Sequence, residues 1–266
     1  MAEYIGSSES EDIRDDFLSP EDDSIDGREG DDIIDGYLGN DILYGFDGND
    51  TINGGENEDY VVGEQGDDYL LGYNGLDTLL GEEGSDQLFG EGDADLLYGG
   101  QDGNDTLDGG TGDDQLFGET DNDLLYGGQD DGGNDTLDGG TGDDELFGEA
   151  GNDILLGSEG IDTLSGGDDN DTLEGEQGDD LLNGGSGSDT FVFSKISDVG
   201  IDTIKDFFFD QGDKIEVVAE DFDIDTDEFD RFSYDSGSGE VSFDRTTFAV
   251  LEGEPEFIPS EDINIV

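Results

Sequence analysis

Apolar residues recur every nine positions between Gly27 and Val192, and most of the residues between them are polar or glycine. Eighteen copies of the pattern follow one another, each with glycine at the first position, aspartate at the sixth and an apolar residue at the eighth. One copy, residues 63–71, reads GEQGDDYLL. The pattern is G-x-x-G-x-D-x-U-x, where U is apolar.

This period predicts alternating turns and short strands. Glycines at the first and usually the fourth position permit a tight turn with positive φ, and x-U-x is long enough only for a short strand with U on one face. Two units form one coil, so about nine coils are expected to stack U into an apolar core. The turns then form two ladders with aspartate above aspartate at about 4.8 Å.

Composition alone predicts a disordered chain, so the coils need a stabilising partner in addition to their apolar core. The chain has 78 acidic and 7 basic residues, 47 glycines and 30% apolar content, which is too little apolar surface to offset chain entropy and charge repulsion. It has no cysteine and no histidine, so zinc and copper are poorly served. Stacked aspartates instead suit a hard cation such as Ca²⁺, held by oxygens at about 2.3–2.6 Å.

The repeat resembles the nonapeptide of RTX, or haemolysin-type calcium-binding, proteins. The resemblance implies an all-β fold, a parallel β-roll with two repeats per coil and a β-rich C-terminal cap. It also implies Ca²⁺ bound by early-position carbonyls and sixth-position carboxylates, with about 14–16 ions because turns at the ladder ends have one neighbour. The predicted metal ligands are Asp32, Asp41, Asp50, Asp59, Asp68, Asp77, Asp86, Asp95, Asp105, Asp114, Asp123, Asp135, Asp144, Asp153, Asp162, Asp171, Asp180 and Asp189.

Some copies depart from the pattern. The fourth-position glycine is replaced by residues that tolerate the left-handed region, so weakened turns are expected at Asn57, Asp93, Asp121 and Asp169. Units 99–108 and 127–138 are overlong, and we expect their extra residues to bulge and to distort the sites at Asp105 and Asp135. Segments 90–117 and 118–147 are duplicates of three units. Because three is odd, equivalent residues are expected on opposite faces of the roll.

The regions outside the repeats suggest a division into residues 1–26, 27–192 and 193–266. The first contains two damaged copies with Ile13 and Ile25 at the eighth position, which form either an N-terminal cap or a disordered acidic tail. The last is richer in basic residues and phenylalanine and resembles the closing segment of serralysin-type RTX proteins. Residues 232–234 and 240–243 predict a hairpin, and 248–251 a further strand.

The resemblance also implies an extracellular location. RTX C-terminal modules carry an uncleaved signal for the type I secretion apparatus, and residues 262–266 are similar to its acidic-then-apolar end. The N-terminus lacks the basic and apolar regions of a signal peptide, and no apolar run reaches the length of a membrane span. Export of an unfolded chain that folds on calcium outside the cell is expected.

The residue types argue against an enzyme. Without histidine or cysteine, Ser-His-Asp, Cys-His and H-E-x-x-H sites are excluded, and only carboxylate chemistry remains. We expect a structural or adhesive protein. A non-catalytic accessory or carbohydrate-binding module of a secreted enzyme is the first alternative, and an ice-binding or adhesin segment is another. An ice-binding segment would be expected to carry a regular row of threonines, and the third positions give none. The strong negative charge disfavours binding to nucleic acid.

One row of ninth positions suggests a contact surface. With U facing inward, these side chains should face outward and form an exposed apolar stripe in five successive coils. Good β-propensity on a strand face without a partner is the competing interpretation. The stripe, predicted to mediate self-association or cell-surface contact, consists of Tyr44, Val62, Leu80, Tyr98 and Phe117.

Overall fold

The computed structural model describes residues 3–14, 22–128, 132–194, 200–218, 228–253 and 257–266. Within these residues the chain winds into two facing sheets of 13 and 14 strands, which are parallel except for three antiparallel strands at one end of the larger sheet. Helical structure there is limited to the short helix α1 (Pro259–Asp262) and a 3₁₀ turn at Phe229–Arg231. The predicted all-β parallel β-roll is confirmed. None of the described helices has the length and apolar character that crossing a membrane requires.

The strands follow the repeat closely along the chain. In order they are β1 (Glu3–Ile5), β2 (Asp12–Arg14), β3 (Ser24–Glu29), β4 (Ile33–Asp35), β5 (Ile42–Asp47), β6 (Thr51–Glu56), β7 (Tyr60–Gln65), β8 (Tyr69–Asn74), β9 (Thr78–Glu83), β10 (Gln87–Gly92), β11 (Leu96–Asp102), β12 (Thr106–Thr111), β13 (Gln115–Thr120), β14 (Leu124–Gly128), β15 (Thr136–Thr141), β16 (Glu145–Ala150), β17 (Ile154–Glu159), β18 (Thr163–Asp168), β19 (Thr172–Gln177), β20 (Leu181–Ser186), β21 (Thr190–Phe193), β22 (Asp202–Ile204), β23 (Lys214–Val217), β24 (Phe232–Asp235), β25 (Glu240–Phe243), β26 (Thr246–Leu251) and β27 (Ile263–Ile265).

Successive strands alternate between the two sheets. The first sheet runs through the odd-numbered strands from β1 to β23 and ends with β27, whereas the second runs through the even-numbered strands to β22 and then β26, β25 and β24. Regular neighbours in a sheet are offset by eighteen residues, as in the pairing of Leu43 with Val61. Two repeats therefore make one coil, as predicted.

The strands are longer than x-U-x. A regular strand has six residues and covers the seventh to ninth positions and the first three of the next unit, as in β6. Burial alternates along it, so that Ile52 and Gly54 both face inward. The prediction of three-residue strands was wrong because main-chain pairing continues past the first-position glycine and leaves only the fourth to sixth positions for the turn.

Positive φ falls at the second and fourth positions. Glu64 at a second position has φ 80°, and Asn57 and Asp169 at fourth positions have φ 85° and 77°. The left-handed conformation expected of the fourth-position substitutes is thus confirmed. The first-position glycine is needed for space instead: a Cβ on Gly72 would lie 2.6 Å from Asp77 Oδ2 and 2.9 Å from the Gly90 carbonyl oxygen.

The eighth-position side chains form the core between the two sheets. From Ile34 to Phe191 every one of them has no solvent-exposed surface. The row continues beyond the regular repeats, since Ile13 and Ile25 are 4% exposed and Ile204 and Ile215 are fully buried. One continuous apolar column therefore runs the length of the roll.

Both ends of the chain extend the roll. β1 pairs with β3 and β2 with β4, so the damaged N-terminal copies stack on the first regular coil. The alternative of a disordered tail is wrong for residues 3–14 and 22–26, while residues 15–21 lie outside the described residues. The predicted hairpin is confirmed, because β24 pairs antiparallel with β25, which pairs with β26. The predicted boundaries after residues 26 and 192 both fall inside strands, β3 and β21, so the roll continues across them.

The duplicated units lie on opposite faces, as expected from their odd number. Tyr98 stacks on Phe117 on the first sheet, with ring centroids 4.9 Å apart and planes at 13°. The equivalent pair on the second sheet, Tyr126 and Phe147, has centroids 5.2 Å apart and planes at 14°. In the first overlong unit the strand pairing shifts at residues 100–102, which confirms the bulge. Residues 129–131 of the second overlong unit lie outside the described residues.

The ninth-position stripe is less exposed than predicted. Its members do occupy neighbouring positions on the first sheet, from Tyr44 paired with Val62 to Tyr98 paired with Phe117. However, Val62 is only 4% exposed, and the other four side chains are half-buried. The prediction of an exposed row was wrong because neighbouring side chains cover its members: Tyr44 contacts Tyr60 beside the row, and Tyr98 stacks on Phe117 within it.

Candidate metal centre

The eighteen predicted aspartates stand in two rows, one along each turn of the roll. Each immediately precedes a strand, and each side chain is buried, with at most 4% of its surface exposed. The Asp32 row consists of Asp32, Asp50, Asp68, Asp86, Asp105, Asp123, Asp144, Asp162 and Asp180. The Asp41 row consists of Asp41, Asp59, Asp77, Asp95, Asp114, Asp135, Asp153, Asp171 and Asp189.

In both rows, one carboxylate oxygen of each aspartate accepts a hydrogen bond from the main chain of the preceding coil. The main-chain N–H of Asp50 donates to Asp68 Oδ1 at 2.7 Å, and that of Asp68 donates to Asp86 Oδ1 at 2.7 Å. The same bond recurs along the Asp41 row, for example from Asp59 to Asp77 at 2.7 Å. Each carboxylate is thereby held in one orientation inside the turn.

The second carboxylate oxygen is buried without a hydrogen bond through most of both rows. Among the described residues, Oδ2 makes no hydrogen bond in Asp32, Asp50, Asp59, Asp68, Asp77, Asp86, Asp95, Asp105, Asp123, Asp144, Asp153, Asp162, Asp171, Asp180 and Asp189. A main-chain carbonyl borders the same space: Asp77 Oδ2 and the Gly90 carbonyl oxygen both line the gap where a Cβ on Gly72 would stand.

Burial raises the pKa of these carboxyl groups. Desolvation raises the pKa of Asp95 to about 8, opposed by the hydrogen bond from Asp77 N–H and reinforced by the neighbouring carboxylates. For the same reason the pKa of Asp59 rises to about 8 and that of Asp68 to about 7. Without a bound cation, the fold would bury two rows of carboxylates with no positive charge beside them, which is energetically unfavourable.

These residues fit a hard divalent cation. An ion that takes six to eight oxygens would use the orphaned Oδ2 atoms and neutralise the row. No group of three or more acidic side chains within the described residues is close enough to form a metal site alone. The remaining ligands would therefore be main-chain carbonyls such as those that border the first-position glycines.

The overlong units keep the rows intact. Asp105 Oδ1 accepts the Asp86 N–H at 2.8 Å, and Asp135 Oδ1 accepts the Asp114 N–H at 2.8 Å. Both side chains are 2% exposed. The predicted distortion of these two carboxylates was wrong. In the first overlong unit the strand pairing shifts at residues 100–102, before Asp105 is reached.

The sequence reasoning missed a second, outer ladder at the fifth position. Here the main-chain N–H of one coil donates to a side chain of the preceding coil, as from Asn49 to Asp31 Oδ1 at 3.0 Å and from Asn152 to Asn134 Oδ1 at 3.1 Å. Recurrent Asp, Asn and Ser at the fifth position was the available signal. The reasoning also missed Asp202 and Asp213, which continue the inner rows beyond the repeats.

Comparison with known proteins agrees with this geometry. A family model described as the RTX calcium-binding nonapeptide repeat matches residues 19–43, 44–79, 71–102, 100–132, 131–164 and 156–191. No curated protein matches the chain significantly in sequence.

Two solved structures are similar to the chain. A hyperactive, Ca²⁺-dependent, β-helical antifreeze protein from an Antarctic bacterium is 20% identical, covering 87% of this chain and 89% of that chain, with a TM-score of 0.48. The extracellular lipase LipA from Serratia marcescens is 18% identical, covering 82% of this chain and 40% of that chain, with a TM-score of 0.25. The match therefore spans less than half of the lipase.

Proposed function

Since the chain belongs to the RTX calcium-binding nonapeptide repeat family, whose cofactor is Ca²⁺, we propose that both aspartate rows hold the ions and that binding drives folding. One observation supports this most directly: coil after coil, a buried Oδ2 has no hydrogen bond among the described residues and adjoins a main-chain carbonyl. About 14–16 ions are expected, because turns at the ends of each row have one neighbour.

Calcium binding and folding are one event in this proposal. With a net charge of −71, the metal-free chain repels itself, and its apolar core is one side chain per nonapeptide. Binding free energy for the ions then becomes folding free energy. The eighteen sixth-position aspartates are the proposed carboxylate ligands.

A single-charge variant with a matched control tests the ligand assignment. Asp95→Asn removes a buried row carboxylate, whereas Asp93→Asn removes the same charge from an exposed fourth position of the same unit. Bound calcium per chain would be measured by equilibrium dialysis at saturating Ca²⁺. Asp95→Asn should bind about one or two ions fewer, and Asp93→Asn should match the wild type. An unchanged ion count for Asp95→Asn would contradict the assignment.

We further propose a secreted, non-catalytic role as a structural or adhesive element. Support comes from the repeat architecture, from the absence of histidine and cysteine in the sequence, and from the acidic-then-apolar residues 262–266 that resemble a type I secretion signal. In the folded protein this segment forms the end of α1 and β27, which pairs with β23. Deleting residues 259–266 should abolish export through a type I apparatus, and unimpaired export would contradict this route.

The Tyr44, Val62, Leu80, Tyr98 and Phe117 stripe is the proposed contact surface for self-association or cell-surface attachment. Two of its aromatic members, Tyr98 and Phe117, stack on one another, and Tyr44 contacts Tyr60 beside the stripe. Replacing Tyr44, Leu80 and Tyr98 by threonine should lower the sedimentation mass in calcium or the binding to cells. Unchanged values for both would remove the stripe from the proposal. Binding of a defined glycan by the calcium-loaded chain would favour an accessory module instead.

A further inference from the structure

A cleft opens on the outer face of the second sheet, across strands β10, β12, β14 and β16. It has a volume of about 450 Å³, and the residues that line it include Phe89, Glu91, Asp108, Gly110, Tyr126 and Glu149. Neighbouring coils place them side by side, since Phe89 pairs with Asp108 and Asp108 pairs with Tyr126. The cleft therefore belongs to a strand face and not to the turns that carry the two aspartate rows.

Glycines form the floor of the cleft. The second positions of the repeat on the four strands are, in order, Glu91, Gly110, Gly128 and Glu149. Glu91 pairs with Gly110, and Gly128 pairs with Glu149. The two central strands thus carry no side chain at this position, and a glutamate stands at each end of the gap. The main chains of the two glutamates are three strand spacings apart, roughly 14 Å.

Two aromatic rings flank Asp108 in the cleft. Phe89 precedes it and Tyr126 follows it along the column of ninth positions. Each ring is supported by another, because Phe89 contacts Tyr69 with ring centroids 5.2 Å apart and Tyr126 stacks on Phe147. Aromatic rings attract cations and also pack against the methylene groups that carry them.

The cleft is acidic and contains no positive charge. Within the described residues the Asp108 side chain makes no hydrogen bond and no ion pair. Burial raises the pKa of the Asp108 carboxyl group, and the nearby carboxylates of Glu149 and Glu91 raise it further. The sequence has no lysine or arginine between Arg28 and Lys195, so neither these strands nor their neighbours in the sheet supply a counter-charge.

The three carboxylates are spread too widely for a single metal ion. No three acidic side chains of the described residues lie close enough together to hold one. A cation that meets Glu91, Asp108 and Glu149 must instead be extended, with its charges at intervals along an apolar stem. The rings beside Asp108 suit such a stem.

We propose that this cleft binds a linear aliphatic polyamine, whose ammonium groups pair with the three carboxylates and whose methylene groups pack on the two rings. The site lies outside the calcium rows and adds a second class of ligand to the proposed function. Its size suits a small molecule, since a volume of 450 Å³ is within the range of small-molecule clefts.

The internal duplication supplies a control on the first sheet. The counterpart of Asp108 is Asp138, and Ser158 Oγ donates to Asp138 Oδ1 at 2.9 Å. Ser158 occupies the second position on the next strand of its sheet, where the cleft has Gly128. A protein hydroxyl thus bonds to Asp138, whereas Asp108 has no such donor among the described residues.

A matched pair of isosteric variants of the full chain tests the proposal. Spermidine binding would be measured by isothermal titration calorimetry in saturating calcium at fixed ionic strength, with folding checked by far-UV circular dichroism. Asp108→Asn should raise the dissociation constant about tenfold, because it removes a carboxylate partner of an ammonium group. Asp138→Asn makes the same charge change on the opposite sheet and should bind as the wild type does. Equal affinity in the wild type and Asp108→Asn would overturn the proposal.

The aromatic walls provide a second test, which also decides the matter if Asp108→Asn does not fold. Tyr126→Leu should weaken spermidine binding about threefold, whereas Tyr44→Leu, on the first sheet, should leave it unchanged. Equal effects of these two variants would overturn the site. Loss of binding to an oligolysine peptide in Asp108→Asn, with spermidine binding unchanged, would assign the cleft to a protein partner and would also overturn the proposal.

Discussion

Different positions of the repeat have different structural roles. The sixth and eighth positions were predictable from sequence, because a buried acid and a buried apolar side chain recur without exception from Asp32 to Phe191. Positive φ at the fourth position was predicted as well, whereas the role of the first-position glycine was not, because recurrence does not reveal backbone angles. Positive φ falls at second positions such as Glu64, whereas the first glycine makes room for the carboxylate.

Two substitutions should therefore have opposite effects. Gly72→Ala places a methyl group against Asp77 Oδ2 and the Gly90 carbonyl, so it should lower the free energy of unfolding by about 1–3 kcal/mol. Glu64→Gly relieves a left-handed glutamate at φ 80° and should raise it by about 1 kcal/mol. Urea denaturation in saturating calcium measures both. A neutral Gly72→Ala would show that the first position is not a close-packed site.

At the scale of strands, pairing governs what the nonapeptide only suggests. The sequence indicated a strand at x-U-x but not its continuation through three residues of the next unit, which depends on hydrogen bonds to other coils. It likewise predicted bulges in the overlong units, yet the rows pass Asp105 and Asp135 without distortion. Pairing between coils keeps Asp105 and Asp135 in their rows although the local sequence is irregular, and the local sequence does not encode that pairing.

The duplicated aromatic pairs test the independence of the two sheets. Tyr98→Thr removes the stacked contact with Phe117, and Tyr126→Thr removes its counterpart with Phe147. Each should cost about 0.5–1.5 kcal/mol beyond lost buried area. Because the pairs lie on opposite sheets, the double variant should equal the sum of the single ones within about 0.5 kcal/mol. A larger deviation from additivity in the free energies of unfolding, measured by urea denaturation, would mean that the two pairs are energetically coupled through the core.

At the scale of the whole molecule, acidity and fold conflict unless cations are present. Composition predicted disorder, and only the spacing of the aspartates indicated how 78 acidic residues could be compatible with a packed roll. The extension of the rows to Asp202 and Asp213 could not be predicted from the repeat alone. It depends on segments whose spacing to the last repeat is irregular.

The raised pKa values predict opposite pH dependences with and without calcium. Without metal, the fold favours the protonated acids, so their contribution is present below about pH 4 and is lost as pH rises through the folded pKa values of about 6 to 8 at Asp77, Asp68 and Asp95. With calcium the ligands must be deprotonated, so affinity should fall as pH falls. Far-UV circular dichroism and thermal unfolding at pH 5 and pH 8, in chelator and in calcium, check both signs, and the metal-free chain should show more β-structure at pH 5 than at pH 8. Metal-free protein that is more stable at pH 8 than at pH 5 would contradict the assignment of these acids as buried and unneutralised.

Far-UV circular dichroism during a calcium titration at pH 8, repeated with magnesium, tests most directly whether the metal builds the roll. Magnesium demands near-octahedral geometry and sheds water reluctantly, so it should substitute poorly. We expect a cooperative transition from disordered chain to β-structure with calcium alone. A complete β signal in excess chelator at the same pH would show that the apolar column and strand pairing suffice, and would contradict a calcium-built fold.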